Sequence, residues 1–139
     1  MADDRSLREF AVLDTSVVVD YRRLDSNLLP RFRAITTVTF AELHAGPNAA
    51  RHDVPEEAVR MQRLHWAQQV FRNPLPFDEA SARVFGTVNL LVLTSGRKPR
   101  TCTADLMIAS IAIRNRLPLY TRNPKDFTPL ESLLEVVAV

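Results

Sequence analysis

One cysteine, Cys102, is all the thiol this 139-residue chain has. A single thiol makes no intramolecular disulfide framework, so burial has to hold the fold, which fits a reducing cytoplasm. With no His nearby in sequence to activate it, Cys102 reads as a small filler residue and not as a nucleophile. Long apolar runs are missing as well. None approaches the roughly 18 residues that a membrane span needs, and the opening Met1-Ala2-Asp3-Asp4-Arg5 is polar and acidic, unlike a secretory signal. The three histidines, His44, His52 and His65, form neither HxxxH nor HExxH. Zinc hydrolysis therefore finds no support, and all three read as surface or helix-packing residues. There is no repeat, linker or low-complexity segment, so the expectation is one cytoplasmic domain over residues 1–139.

Lysine is scarce: Lys98 and Lys125 are the only two, and the rest of the basic side is arginine at a net charge of +2. Arginine suits planar, bidentate contacts with phosphate, although codon bias in a GC-rich genome explains such a count equally well. Position carries more than number. Arg97-Lys98-Pro99-Arg100 lies shortly before Asp105, and Arg122 and Lys125 flank Asn123 and precede Asp126. Both stretches put positive charge beside acids, as phosphate binding requires.

The apolar pattern alternates between strands and helices. Residues 10–13 form a short buried strand, followed by a helix over 15–24 with Val17, Val18, Tyr21 and Leu24 at helical spacing. Residues 34–40, rich in Thr, Ile and Val, read as a second strand. A short helix through Ala41, Glu42 and Leu43 is expected to stop at Gly46-Pro47, before a loop over 48–54. Pro55 opens a long helix to Phe71, whose Val59, Met61, Leu64, Trp66 and Val70 spread over two stripes and suit a core plus a second helix or subunit. A short strand at 75–77 precedes Asp78, the N-cap of a helix through Val92 that Gly96 ends. Thr103 is placed to cap a nearly all-apolar helix over 104–115. Strands over 118–121 and 134–139 complete the chain. This alternation predicts an α/β fold, a small doubly wound α/β/α sandwich around a central parallel sheet.

Four carboxylates stand at the junctions of this pattern: Asp14, Glu42, Asp105 and Asp126. In a parallel α/β sheet the carboxyl ends of the strands share one edge, where ligands bind. Acids distant in sequence can meet there, and unpaired carboxylates repel unless a cation sits among them. Each acid also has a plain structural role open to it. Asp14 suits an N-cap, Asp105 complements a helix dipole, Glu42 faces water on a short helix and Asp126 caps the turn before Pro129.

Each acid also lies in a local pattern: FAVLDTSV at 10–17, TFAELHAG at 39–46, TADLMIA at 103–109 and LYTRNPKDF at 119–127. In this order they resemble the PIN-domain ribonucleases, and closely the VapC-type toxins of toxin–antitoxin pairs, over effectively the whole chain from Phe10 to Val139. The resemblance implies a metal-dependent endoribonuclease that hydrolyses RNA and inhibits translation. It maps Asp14, Glu42 and Asp105 onto ligands of Mg²⁺ or Mn²⁺, with Asp126 as a fourth catalytic acid that orients the attacking water. Where the family carries an acid or amide in the last motif, this chain has Asn123. Ser16 and Thr121 match small hydroxyls that hydrogen-bond the acids or the phosphate. Together with Arg97, Lys98, Arg100, Arg122 and Asn123 they form the expected substrate set.

Products with 5′-phosphate and 3′-hydroxyl ends are implied, from a transfer RNA or ribosomal RNA substrate. The implied partners are a cognate antitoxin, docked near Val18, Tyr21 and the helix over 57–71, and a second copy in a homodimer. No membrane is involved. Two other readings compete: a non-catalytic PIN-like module that binds RNA or protein, and a phosphoacceptor receiver domain. The first is expected to lose acids that this chain keeps. The second needs an acceptor Asp closing a central strand, and residues 34–40 end without one.

Overall fold

The computed structural model describes residues 9–139; the polar opening at residues 1–5 lies outside the described residues. Four short parallel strands form one sheet in the order β2-β1-β3-β4, where β1 is Phe10–Leu13, β2 Phe32–Ala34, β3 Leu119–Thr121 and β4 Val136–Ala138. Register puts Val12 opposite Ala34 on one side and Leu119 on the other. Strands buried on both faces need apolar residues at every position, and β1 shows the result. Val12 enters one core, with Val88, Val92, Ile108 and Phe127, whereas Ala11 and Leu13 enter the other, with Val17, Leu43 and Leu64. Helices α4 (Glu79–Thr94) and α5 (Thr103–Arg114) supply the first core. Helices α1 (Thr15–Val19), α2 (Thr37–Ala49) and α3 (Val54–Val70) cover the other face. This is the expected doubly wound sandwich. Among the described residues, no helix is long and apolar enough to cross a membrane.

Several local expectations are corrected. Residues 37–40 are helical and not strand: β2 ends at Ala34, and the Thr36 hydroxyl caps α2 by accepting from the Thr39 backbone N–H at 3.1 Å. Capping plus burial of Val38 outweighs the β-propensity of the Thr and Val side chains. The helix also runs through Gly46-Pro47 to Ala49. In a last turn proline forfeits a single hydrogen bond, and an Arg60 Nη1 donates to the Gly46 carbonyl at 3.0 Å.

The helix expected over 15–24 stops at Val19, and a 3₁₀ turn at Tyr21–Arg23 follows. There the Tyr21 ring packs 4.9 Å from Trp66 instead of continuing the helical stripe. The strand at 75–77 shrinks to one parallel bridge between Leu75 and Thr36. Thr103 is the first residue of α5 and makes no cap bond from its side chain; Cys102 occupies the cap position. Asp78 does cap α4, accepting from Ser81 N–H at 2.8 Å, and Gly96, at φ +87°, ends that helix region in a conformation that favours glycine.

Candidate active site

Asp14 follows β1 directly and is 4% exposed. Its place is that of an N-cap for α1, yet its side chain makes no cap bond. Instead the Ser16 and Thr121 hydroxyls both donate to Oδ2, each at 2.8 Å. The other oxygen, Oδ1, is buried and has no hydrogen-bond partner among the described residues. Leaving a buried carboxylate oxygen unpaired costs about 1–3 kcal/mol or more, so a purely structural role accounts poorly for it. A hard cation is the partner that this oxygen suits.

The neighbouring groups are arranged around that carboxylate. Thr121 closes β3, which pairs beside β1, and its hydroxyl accepts from the Asn123 backbone N–H at 3.0 Å. Ser16 accepts from the Arg122 N–H at 3.1 Å, so the loop after β3 is fastened to the start of α1. Glu42, on the exposed side of α2, receives a 2.7 Å bond from the Thr15 hydroxyl, which also meets the Thr39 hydroxyl at 2.9 Å. Thr15 and Thr39 were not singled out from the sequence. The available signal was a hydroxyl beside one acid and another a helical turn before the second.

Asp105 stands in the first turn of α5, which runs back to the start of β3, so this turn lies at the edge where the strands end. Burial pushes its carboxyl up to about 6, and the charges of Asp14, Glu42 and Asp126 push in the same direction. The four acids thus share one field. Among the described residues, no three Asp, Glu, His or Cys side chains converge as a ready-made cation cage. Asp126, exposed in the 3₁₀ turn at Pro124–Leu130, reaches the group from the β3 side.

The basic residues divide. Arg97 and Lys98 line a cavity of about 430 Å³ whose wall includes both Asp105 and Asp126. Arg97 Nη1 donates to the Lys125 carbonyl at 2.9 Å, tying the two basic loops together. Arg100 is exposed and does not line that cavity. Arg122 is held by Asp20, Nε to Oδ2 at 3.4 Å, and the Asn123 side chain is exposed. Cys102 also faces the cavity, but burial and then the Asp105 carboxylate push its thiol up, away from the reactive thiolate. His44, His52 and His65 are all exposed. Between α1 and α3 lies a groove lined by Val18, Tyr21, Val59 and Trp66 and edged by Arg22, Arg23 and Arg63.

No protein-family model matches the chain. The chain is 36% identical over 129 residues to Ribonuclease VapC5 of Mycobacterium tuberculosis, covering 90% of each. It belongs to the VapC ribonuclease family. The crystal structure of VapBC-5 from the same organism, a member of the VapBC family of toxin–antitoxin systems, superposes with a TM-score of 0.81 at 34% identity. That match covers 94% of this chain and 99% of the other. FitAcB from Neisseria gonorrhoeae, at 23% identity, matches with a TM-score of 0.69 over 91% of this chain and 96% of its own, which shows the shared fold. The parallel sheet with helices on both faces is thus the VapC fold, and the buried Asp14 lies at the strand edge of that fold.

Proposed function

We propose that this VapC protein is the cytoplasmic toxin of a toxin–antitoxin pair, and that it cuts RNA by hydrolysis at a carboxylate centre and so inhibits translation. The observation that carries this reading is Asp14: a carboxylate almost fully buried, one oxygen locked by two hydroxyls and the other without a partner among the described residues. The all-oxygen donor set fits Mg²⁺ or Mn²⁺ better than a softer ion. Asp14, Glu42 and Asp105 would hold the cation, which when bound lowers the pKa of water and offsets charge on the scissile phosphate.

The chain's own residues do the positioning. Ser16 and Thr121 fix the Asp14 carboxylate by its Oδ2 and leave Oδ1 to face the centre. Thr15 aims Glu42 in the same way. Asp126 orients the attacking water, while Arg97 and Lys98 draw the RNA backbone to the cavity beside it. Such hydrolysis leaves 5′-phosphate and 3′-hydroxyl ends and does not need the RNA 2′-hydroxyl as nucleophile. A transfer RNA or a ribosomal RNA loop, read by shape and a few bases, is the substrate class. The groove at Val18, Tyr21 and Trp66 is the docking place for the cognate antitoxin, and the active species is a homodimer.

The test uses antitoxin-free protein and end-labelled total RNA, in Mg²⁺, Mn²⁺ or EDTA. Discrete cuts that need metal and vanish in Asp14→Asn and Asp105→Asn are expected. Cutting in EDTA, or fragments ending in a cyclic 2′,3′-phosphate, would overturn the hydrolytic mechanism.

A further inference from the structure

On the Glu42 side of the acids lies a second cavity, of about 330 Å³, whose wall includes Thr15, Glu42, Glu56, Arg60 and Arg63. Of its four charged residues, Glu56 and Arg60 alone form an ion pair among the described residues. Glu42 is held by Thr15 at 2.7 Å, and Glu56 is held by Arg60 Nε at 3.0 Å. The other arm of Arg60 is on the Gly46 carbonyl. Arg63 is half-buried and, among the described residues, has no carboxylate, carbonyl or ring partner. A guanidinium drawn partly out of water without a partner is costly to keep and ready to take an anion.

The opposite cavity, walled by Asp105 and Asp126, carries Arg97 and Lys98. Cations therefore bracket the acidic centre from both sides, and each cavity shares at least one wall residue with it. Such an arrangement suits a polyanion that crosses the centre. A single anionic side chain from a protein would need only one of the two sides.

We propose that the RNA strand runs from the Arg97–Lys98 cavity across the carboxylates into the Glu42 cavity, and that Arg63 binds a backbone phosphate on that far side as a positioning residue. This rests on the nuclease reading above and adds a second substrate subsite to it.

The experiment compares wild type, Arg63→Ala, Arg63→Lys and, as a control, Arg83→Ala on the exposed side of α4. Cleavage of an RNA oligonucleotide spanning a mapped cut is followed in Mn²⁺. Arg63→Ala is expected to raise KM about tenfold, the loss falling in KM and not in kcat, with partial rescue by Lys. The loss is expected to disappear when nucleotides on one side of the cut are removed, and to persist when the other side is shortened. In parallel, each variant on an Asp14→Asn background is titrated with the same labelled RNA by fluorescence anisotropy over a range of salt. Removing one phosphate contact to a single strand lowers the log–log salt slope by about 0.7.

An Arg63→Ala protein with unchanged KM and salt slope overturns the subsite. So does one that binds RNA normally and loses only antitoxin capture, which would assign Arg63 to the protein partner. Wild type that fails to cut in Mn²⁺ sinks the nuclease reading instead, and the anisotropy series still decides Arg63.

Discussion

At the residue scale, the two hydroxyls on Asp14 Oδ2 are the most informative contacts in the molecule. A residue that only orients a ligand group changes affinity or activity by about 10–100-fold when removed. Thr121→Val is therefore expected to weaken Mn²⁺ binding by about that factor while the fold persists, as read by calorimetric titration and circular dichroism. Unchanged Mn²⁺ affinity would detach Thr121 from the centre.

Asp105 makes a second prediction, about pH. Its folded pKa, about 6, lies above the ordinary 3.8, so the folded state holds this proton more tightly than the unfolded chain. Its stabilising contribution is complete below the unfolded value and is lost as pH rises through about 6. Melting of the metal-free protein should then show a stability decrement between about pH 4 and pH 6 that is absent in Asp105→Asn. For the same reason protons compete with cation binding below about pH 6, and cleavage should fall there.

At the scale of elements, α2 depends on how it starts. Thr36 is fully buried, and its hydroxyl caps the helix that carries Glu42. Thr36→Ala is expected to cost about 1 kcal/mol, a drop in Tm of about 4 °C. Thr36→Ser keeps the oxygen and should recover most of it. A Thr36→Ser protein as destabilised as Thr36→Ala would point to packing of the Thr methyl instead of the cap. The element pattern was readable where apolar spacing and punctuation agreed, as at Asp78 and Gly96, which the structure bears out. It misled at residues 37–40. Two threonines, a valine and a phenylalanine there have strand-like side chains, but a cap one residue upstream commits them to helix. The Gly46-Pro47 pair misled in the same way, because Arg60 from α3 satisfies a carbonyl at the end of α2.

At the scale of the whole molecule, strand order does the assembling. With β1 and β3 adjacent at the centre, Leu13 lies opposite Tyr120, so the residues that follow each strand emerge side by side. Asp14 and Thr121 thereby meet across 107 positions of sequence. Outside the core, α3 exposes Val59, Met61 and Val70, in line with the broad apolar surface expected of that helix. A homodimer by light scattering is the expected state of the antitoxin-free protein, and a monomer at micromolar concentration would remove that part of the proposal.

What the sequence alone determined is the alternation of elements, the parallel sandwich and the identity of the four acids, because hydrophobic period and turn chemistry are local properties. Which oxygen of Asp14 is locked and which is left bare depended on tertiary structure. So did the binding of Arg122 by Asp20, and the position of Arg63 in the cavity beside Glu42. Those facts rest on contacts between residues dozens of positions apart, and only the packing of helices against the finished sheet sets such distances.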